Sequence, residues 1–177
     1  IEEAGFPVKG KRAVVIGAGG AAKAVIASLI QLGLSQITIV NRTFEKAENL
    51  AETFKEKEEK IEFIAKALEE DEYKKVVKNS ELIVNTTPIG MYSHEGDKLV
   101  INPEYLNEHQ FVVDLIYNPL KTELLKEAEK RGAQIGNGLP TLIYQAEASF
   151  KLWTKEMPNK KKWKKIGEEA VHKIEEK

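Results

Sequence analysis

The run "GAGGAA" (Gly17 to Ala22) places small residues at the spacing G-x-G-x-x-A, with the apolar "AVVI" directly before it and the helix-periodic "VIASLIQLG" soon after. Strand, glycine turn and helix in that order bring backbone amides and the positive end of a helix dipole to one point, which suits a pyrophosphate. Gly17 makes the tight turn, Gly19 lacks the Cβ that would block the phosphates, and Ala22 lets helix and strand pack closely. The spacing alone is weak; its flanks make it a dinucleotide-binding turn.

The next strand bears on which dinucleotide. An NAD site usually places Asp or Glu about 20 residues on, to bond the ribose 2′-hydroxyl. Here the second apolar run ends in "NRT" (Asn41 to Thr43), with no carboxylate. Arg42 can fork onto a 2′-phosphate, Thr43 can add a hydroxyl, and Lys46 lies one helical turn further on. A hydrogen bond to a charged group contributes about 1.5–3 kcal/mol, so Arg42 alone predicts roughly a 10- to 150-fold preference for NADP. The missing acid also disfavours an S-adenosylmethionine site.

The elements that must position these residues alternate along the chain. Strands are expected at "KRAVVIG", "QITIVN", "KIEFIA", "ELIVNTT", "QFVVDLIY" and "AQIGNG". Helices are expected over 21–32, from a Thr43 cap to about Lys57, over 70–78, within "KTELLKEAEKRG", and over "PTLIYQAEASFKLWT". That alternation predicts an α/β fold: a Rossmann-type, doubly wound parallel sheet of about six strands, with helices on both faces. The tail "NKKKWKKIGEEAVHKIEEK" reads as a further amphipathic helix, its apolar face formed by Trp163, Ile166, Ala170 and Ile174. The expected division is 1–10 as a helix end and linker, 11–154 as the nucleotide-binding domain, and 155–177 as a helical extension. The opening "IEEAG" reads as the last turn of a helix, so a preceding segment is expected.

Five motifs in register carry a family resemblance: "GAGGAAKA", "NRT", "NTTPIGM", "DLIYNPLKTELLKEAEKRG" and "GLPTLIYQAEASFKLWT". Over about Val8 to Thr154 the sequence resembles the shikimate dehydrogenases, with their quinate/shikimate cousins as the alternative within the family. The resemblance implies NADP(H) as cofactor and reversible reduction of 3-dehydroshikimate to shikimate. It matches Gly17, Ala18, Gly19, Gly20 and Ala21 to the pyrophosphate loop, and Asn41, Arg42, Thr43 and Lys46 to the adenosine-phosphate loop. Thr86 matches a segment beside the nicotinamide ribose, Leu115 a residue near the nicotinamide, and Gly138 one whose backbone meets the carboxamide. Tyr117 and Gln145 match positions that contact shikimate.

Two positions depart from the family pattern: Thr141 stands where a Met is common, and "WTK" replaces "WTG". The resemblance implies that the carboxylate-binding serines and the proton-handling Lys/Asp pair lie in an N-terminal substrate domain, which is expected to fall outside these 177 residues. The expectation is therefore a cofactor-binding domain that is inactive alone, with a stand-alone NADP-binding regulatory module as the alternative from another class. His94, His109 and His172 sit in loop or tail contexts without an orienting carboxylate and are not expected to be catalytic.

Composition narrows the remaining classes. With no cysteine there is neither a disulfide framework nor a thiolate metal site, which fits a cytoplasmic protein, and no metal ligand set is expected. A formal charge of −1 gives no bulk case for nucleic acid, and no apolar run reaches the roughly 18 residues that a membrane span needs. The expected partner is a small-molecule substrate; a homodimer stays open.

Overall fold

The computed structural model describes residues 1–91 and 99–175. Its strands are β1 (Arg12–Ile16), β2 (Gln36–Asn41), β3 (Glu62–Ala67), β4 (Leu82–Asn85), β5 (Phe111–Asp114) and β6 (Gln134–Gly136). They form one sheet in the order β3-β2-β1-β4-β5-β6, every pairing parallel. The helices are α1 (Gly20–Gln31), α2 (Phe44–Lys55), α3 (Glu70–Asn79), α4 (Glu123–Lys130), α5 (Leu139–Thr154) and α6 (Lys160–Glu175).

The alternation of side chains along each strand builds two cores from one sheet. Ala13 and Val15 face a cluster with Ala22, Ile26 and Leu29 of α1 and Leu50 of α2. Val14 and Ile16 face another with Tyr73 and Val77 of α3 and Leu124 and Leu125 of α4. Because β1 pairs with β2 on one side and β4 on the other, strand order reverses beside β1. Ligand crevices of doubly wound sheets open at that point, at the carboxyl ends of the strands.

Several element bounds differ from expectation for identifiable reasons. β4 stops at Asn85 and β5 at Asp114, short of Thr87 and Tyr117. In both cases the side chain of the last strand residue accepts a hydrogen bond from the amide two residues on: Thr87 N to Asn85 Oδ1 at 3.0 Å, and Ile116 N to Asp114 Oδ1 at 3.1 Å. Such Asx turns compete with the sheet ladder and turn the chain out of it. β3 runs later than "KIEFIA", to Ala67, where it pairs with Asn41 at the end of β2. A 3-10 turn at Pro103–Tyr105, not anticipated, is capped by Asn102.

The packed face of α6 is also corrected. Trp163 and Val171 pack with Leu139 and Ile143 of α5, while Ile166 is 52% exposed and Ala170 is exposed. Gly167 sets the contact: a Cβ there would lie 3.3 Å from Leu139 Cδ1, so the helices approach along 163–167–171 rather than 163–166–170. The side chain of Ile174 lies outside the described residues.

Candidate functional site

The loop after β1 is shaped by what surrounds it. Gly17 has φ +107°, and a Cβ on it would lie 2.5 Å from Thr86 Oγ1, so only glycine fits. Its amide donates to the Val40 carbonyl at 2.8 Å, tying the turn to β2. At Gly19 and Gly20, by contrast, an added Cβ would meet nothing within 4 Å. α1 begins there with Gly19 as its cap, which offers no side chain to the first-turn amides, and the first turn holds no acidic residue. Free donors, a helix dipole and open space are what an anionic group needs.

The end of β2 lies next to this loop. Asn41 Nδ2 donates to the Thr43 carbonyl at 2.8 Å and shapes the bend. Thr43 caps α2 without using its hydroxyl in a cap bond, and Arg42, Thr43 and Lys46 are all exposed. Among the described residues no ion pair engages Arg42 or Lys46. The two cations and one hydroxyl therefore fit a ribose phosphate, as the glycine loop fits a pyrophosphate.

The loops after β4 and β5 form the other side. Thr86 donates from its hydroxyl to the Ile16 carbonyl at 2.7 Å, which leaves its oxygen only as an acceptor for anything else. Thr86, Leu115 and Tyr117 line a depression of about 320 Å³. Leu115 and Tyr117 also line a larger groove of about 670 Å³, together with Ala21, Gly138, Thr141 and Gln145. Gly138 must be glycine here, since a Cβ would lie 1.9 Å from the Leu115 carbonyl oxygen. Its amide donates to the Ile116 carbonyl at 2.9 Å, joining the β5 loop to the start of α5.

Sequence reasoning assigned no role to the group beneath these loops. Asn85, Asp114 and Thr122 are buried and bonded together: Asn85 Nδ2 to Asp114 Oδ1 at 3.1 Å, and Thr122 Oγ1 to Asp114 Oδ2 at 2.7 Å. Burial pushes the Asp114 carboxyl up to about 6, against the opposing pull of hydrogen bonds from Thr122, the Ile116 amide and Asn85. The available signal was a single acid inside the apolar run "FVVDLI".

Of the three histidines, His109 is 83% exposed and precedes β5, at the amino ends of the strands and so at the sheet edge opposite these loops. His94 and the side chain of His172 lie outside the described residues. Among the described residues no cluster of three or more His, Cys, Asp or Glu could hold a metal ion, and no helix is long and apolar enough to cross a membrane.

Comparison with known proteins adds to this geometry. A family model described as shikimate / quinate 5-dehydrogenase matches residues 2–120. The shikimate dehydrogenase (NADP(+)) of Halothermothrix orenii is 44% identical over 153 residues, covering 86% of this chain and 53% of that protein. A crystal structure of shikimate dehydrogenase in complex with NADP+ superposes with a TM-score of 0.81 at 42% identity, over 93% of this chain and 56% of the other. Shikimate 5-dehydrogenase from Listeria monocytogenes, in complex with shikimate and NAD, gives 0.85 at 31% identity, over 93% and 58%. The chain spans about half the length of the curated relatives it matches.

Proposed function

The chain belongs to the shikimate / quinate 5-dehydrogenase family, and from that premise we propose that these 177 residues are the NADP(H)-binding part of a shikimate dehydrogenase. The observation that carries the reading is the pairing of an uncapped helix start at Gly19 and Gly20 with the exposed Arg42, Thr43 and Lys46 beside it.

In this reading Gly17 to Ala21 hold the pyrophosphate through backbone amides, and Arg42 forks onto the 2′-phosphate with Thr43 and Lys46 in support. Thr86, Leu115 and Gly138 border the nicotinamide. Tyr117 and Gln145 offer a hydroxyl and an amide to a polyhydroxy acid, which supports shikimate as substrate. When bound, NADPH supplies the hydride for reduction of 3-dehydroshikimate. A carbonyl reduction also needs a positioned proton donor, and the family resemblance puts the Lys/Asp pair that serves it outside these residues. Alone, they bind cofactor without turning substrate over.

Fluorescence titration tests the cofactor assignment: NADPH should bind at least tenfold more tightly than NADH, and Arg42→Asp should reverse the order. Equal affinities in the parent chain would remove the basis for NADP. Shikimate-dependent NADP reduction tests the second claim; turnover at an ordinary dehydrogenase rate would show that the proton-handling groups lie within this chain.

A further inference from the structure

Asn85 and Asp114 stand opposite each other in the β4–β5 register, each the last residue of its strand. The Asp114 carboxylate is bonded in three directions: to Asn85 Nδ2 across the register, to the Ile116 amide in its own loop, and to Thr122 Oγ1 at the cap of α4. Asn85 spreads the network through the other loop. Its Oδ1 accepts from the Thr87 amide at 3.0 Å and the Thr87 hydroxyl at 2.7 Å, and its Nδ2 also donates to the Ile89 carbonyl at 3.3 Å. Thr122 accepts in turn from the Leu125 amide at 3.4 Å.

From this geometry we infer that Asp114 is a positioning residue, whose three-way bonding fixes the loop bearing Thr86 against the loop bearing Leu115 and Tyr117 and so sets the nicotinamide side of the cleft. The inference rests on the cofactor reading above. Stability alone does not call for this arrangement. An apolar pair at the same register would join the strands without burying a carboxylate among uncharged partners, which is unfavourable. What an apolar pair cannot do is fix the direction in which both chains leave the sheet. The two Asx turns do that, and the Asn85–Asp114 bond locks each to the other.

The test uses the whole 177-residue chain and three variants. Thr122→Val removes one arm at nearly constant volume, Asp114→Ala removes the hub, and Asp114→Asn keeps a group able to bond in the same three directions. Two probes separate the halves of the site: 2′,5′-ADP, titrated for affinity, and NADPH, whose dihydronicotinamide fluorescence lifetime is read at saturation. For Thr122→Val and Asp114→Ala the bound lifetime should fall at least halfway towards that of free NADPH, while 2′,5′-ADP affinity stays within about twofold. Asp114→Asn should retain the parent lifetime. If Asp114→Ala does not fold, Thr122→Val decides alone. A parent-like lifetime in folded Thr122→Val, or loss of 2′,5′-ADP binding in proportion, overturns the inference. So does a parent chain whose bound NADPH has the lifetime of the free cofactor. A parent chain that binds neither probe overturns the cofactor reading, and this inference with it.

Discussion

The two halves of the sheet meet at β1 and prepare their polar groups in opposite ways. On the β1–β3 side, the Gly19 cap brings no side chain, Thr43 makes no cap bond, and Arg42 and Lys46 stand exposed. On the β4–β6 side, Asn85, Asp114 and Thr122 are buried and bonded to one another, and Gly138 fits against the Leu115 carbonyl with no room for a Cβ. In the proposed reading, the first half is completed by a ligand's charges. In the same reading the second must be rigid beforehand, because orienting a reactive ring demands fixed walls more than added affinity.

The largest effect should come from exchanging these properties at two glycines. Gly138→Ala drives a Cβ into backbone, and the neighbouring chain cannot yield as a flexible side chain could. It should lower stability by about 3 kcal/mol in urea denaturation. Gly19→Val meets open space and should leave stability within about 1 kcal/mol, yet block NADPH binding by occupying the phosphate approach. If both variants fold equally well, the contrast between a rigid and an open half fails at its sharpest point. A Gly19→Val chain that binds NADPH normally would move the pyrophosphate elsewhere.

The same contrast explains what the sequence made legible. The glycine loop and "NRT" are local: five or six consecutive residues specify a turn, a helix start and a charge, so their geometry follows from spacing. Asn85 and Asp114 are 29 residues apart and meet only when β4 and β5 pair, so neither residue betrays the other. The strand ends at these two residues have a local cause instead, since each side chain accepts from the amide two residues on. The β-branched pair Thr86–Thr87 and the apolar Leu115–Ile116 still suit a strand by residue type, and the side-chain bonds that end the ladder are invisible to that reading. The α6 face failed similarly, because Gly167 matters through the closeness of α5 rather than through its own hydrophobicity.

The buried network of the β4–β6 half can be probed through the Asp114 carboxylate. With a folded pKa of about 6, above the ordinary carboxylate value, Asp114 contributes stability that is fully present below the unfolded pKa and is lost as pH rises through about 6. Asp114→Asn has no such dependence. Between about pH 4.5 and 8, chemical denaturation should therefore show the variant gaining on the parent by about 2 kcal/mol. A difference that stays constant across that range would mean the carboxylate titrates at an ordinary value, and that its surroundings are wetter than its burial indicates.

The smallest effect is the most discriminating, because it compares the same residue type in the same local role. Thr43 and Thr122 each precede a helix with an extended backbone as its cap. Thr122 accepts from the Leu125 amide and donates to Asp114, whereas Thr43 makes no side-chain cap bond and is exposed. A threonine cap that is used contributes about 1 kcal/mol. Thr122→Ala should lose at least that much, since it also strips the Asp114 carboxylate of a donor. Thr43→Ala should change stability by only about 0.3 kcal/mol, for there is no cap bond to lose. Its effect should appear in NADPH affinity, which a hydroxyl bonded to a phosphate raises by about 1.5 kcal/mol, a little over tenfold. NADH affinity should not move, as it lacks the 2′-phosphate. Should Thr43→Ala instead destabilise the fold as Thr122→Ala does, its hydroxyl is a structural cap in solution, and the β2 end is less open than the comparison holds.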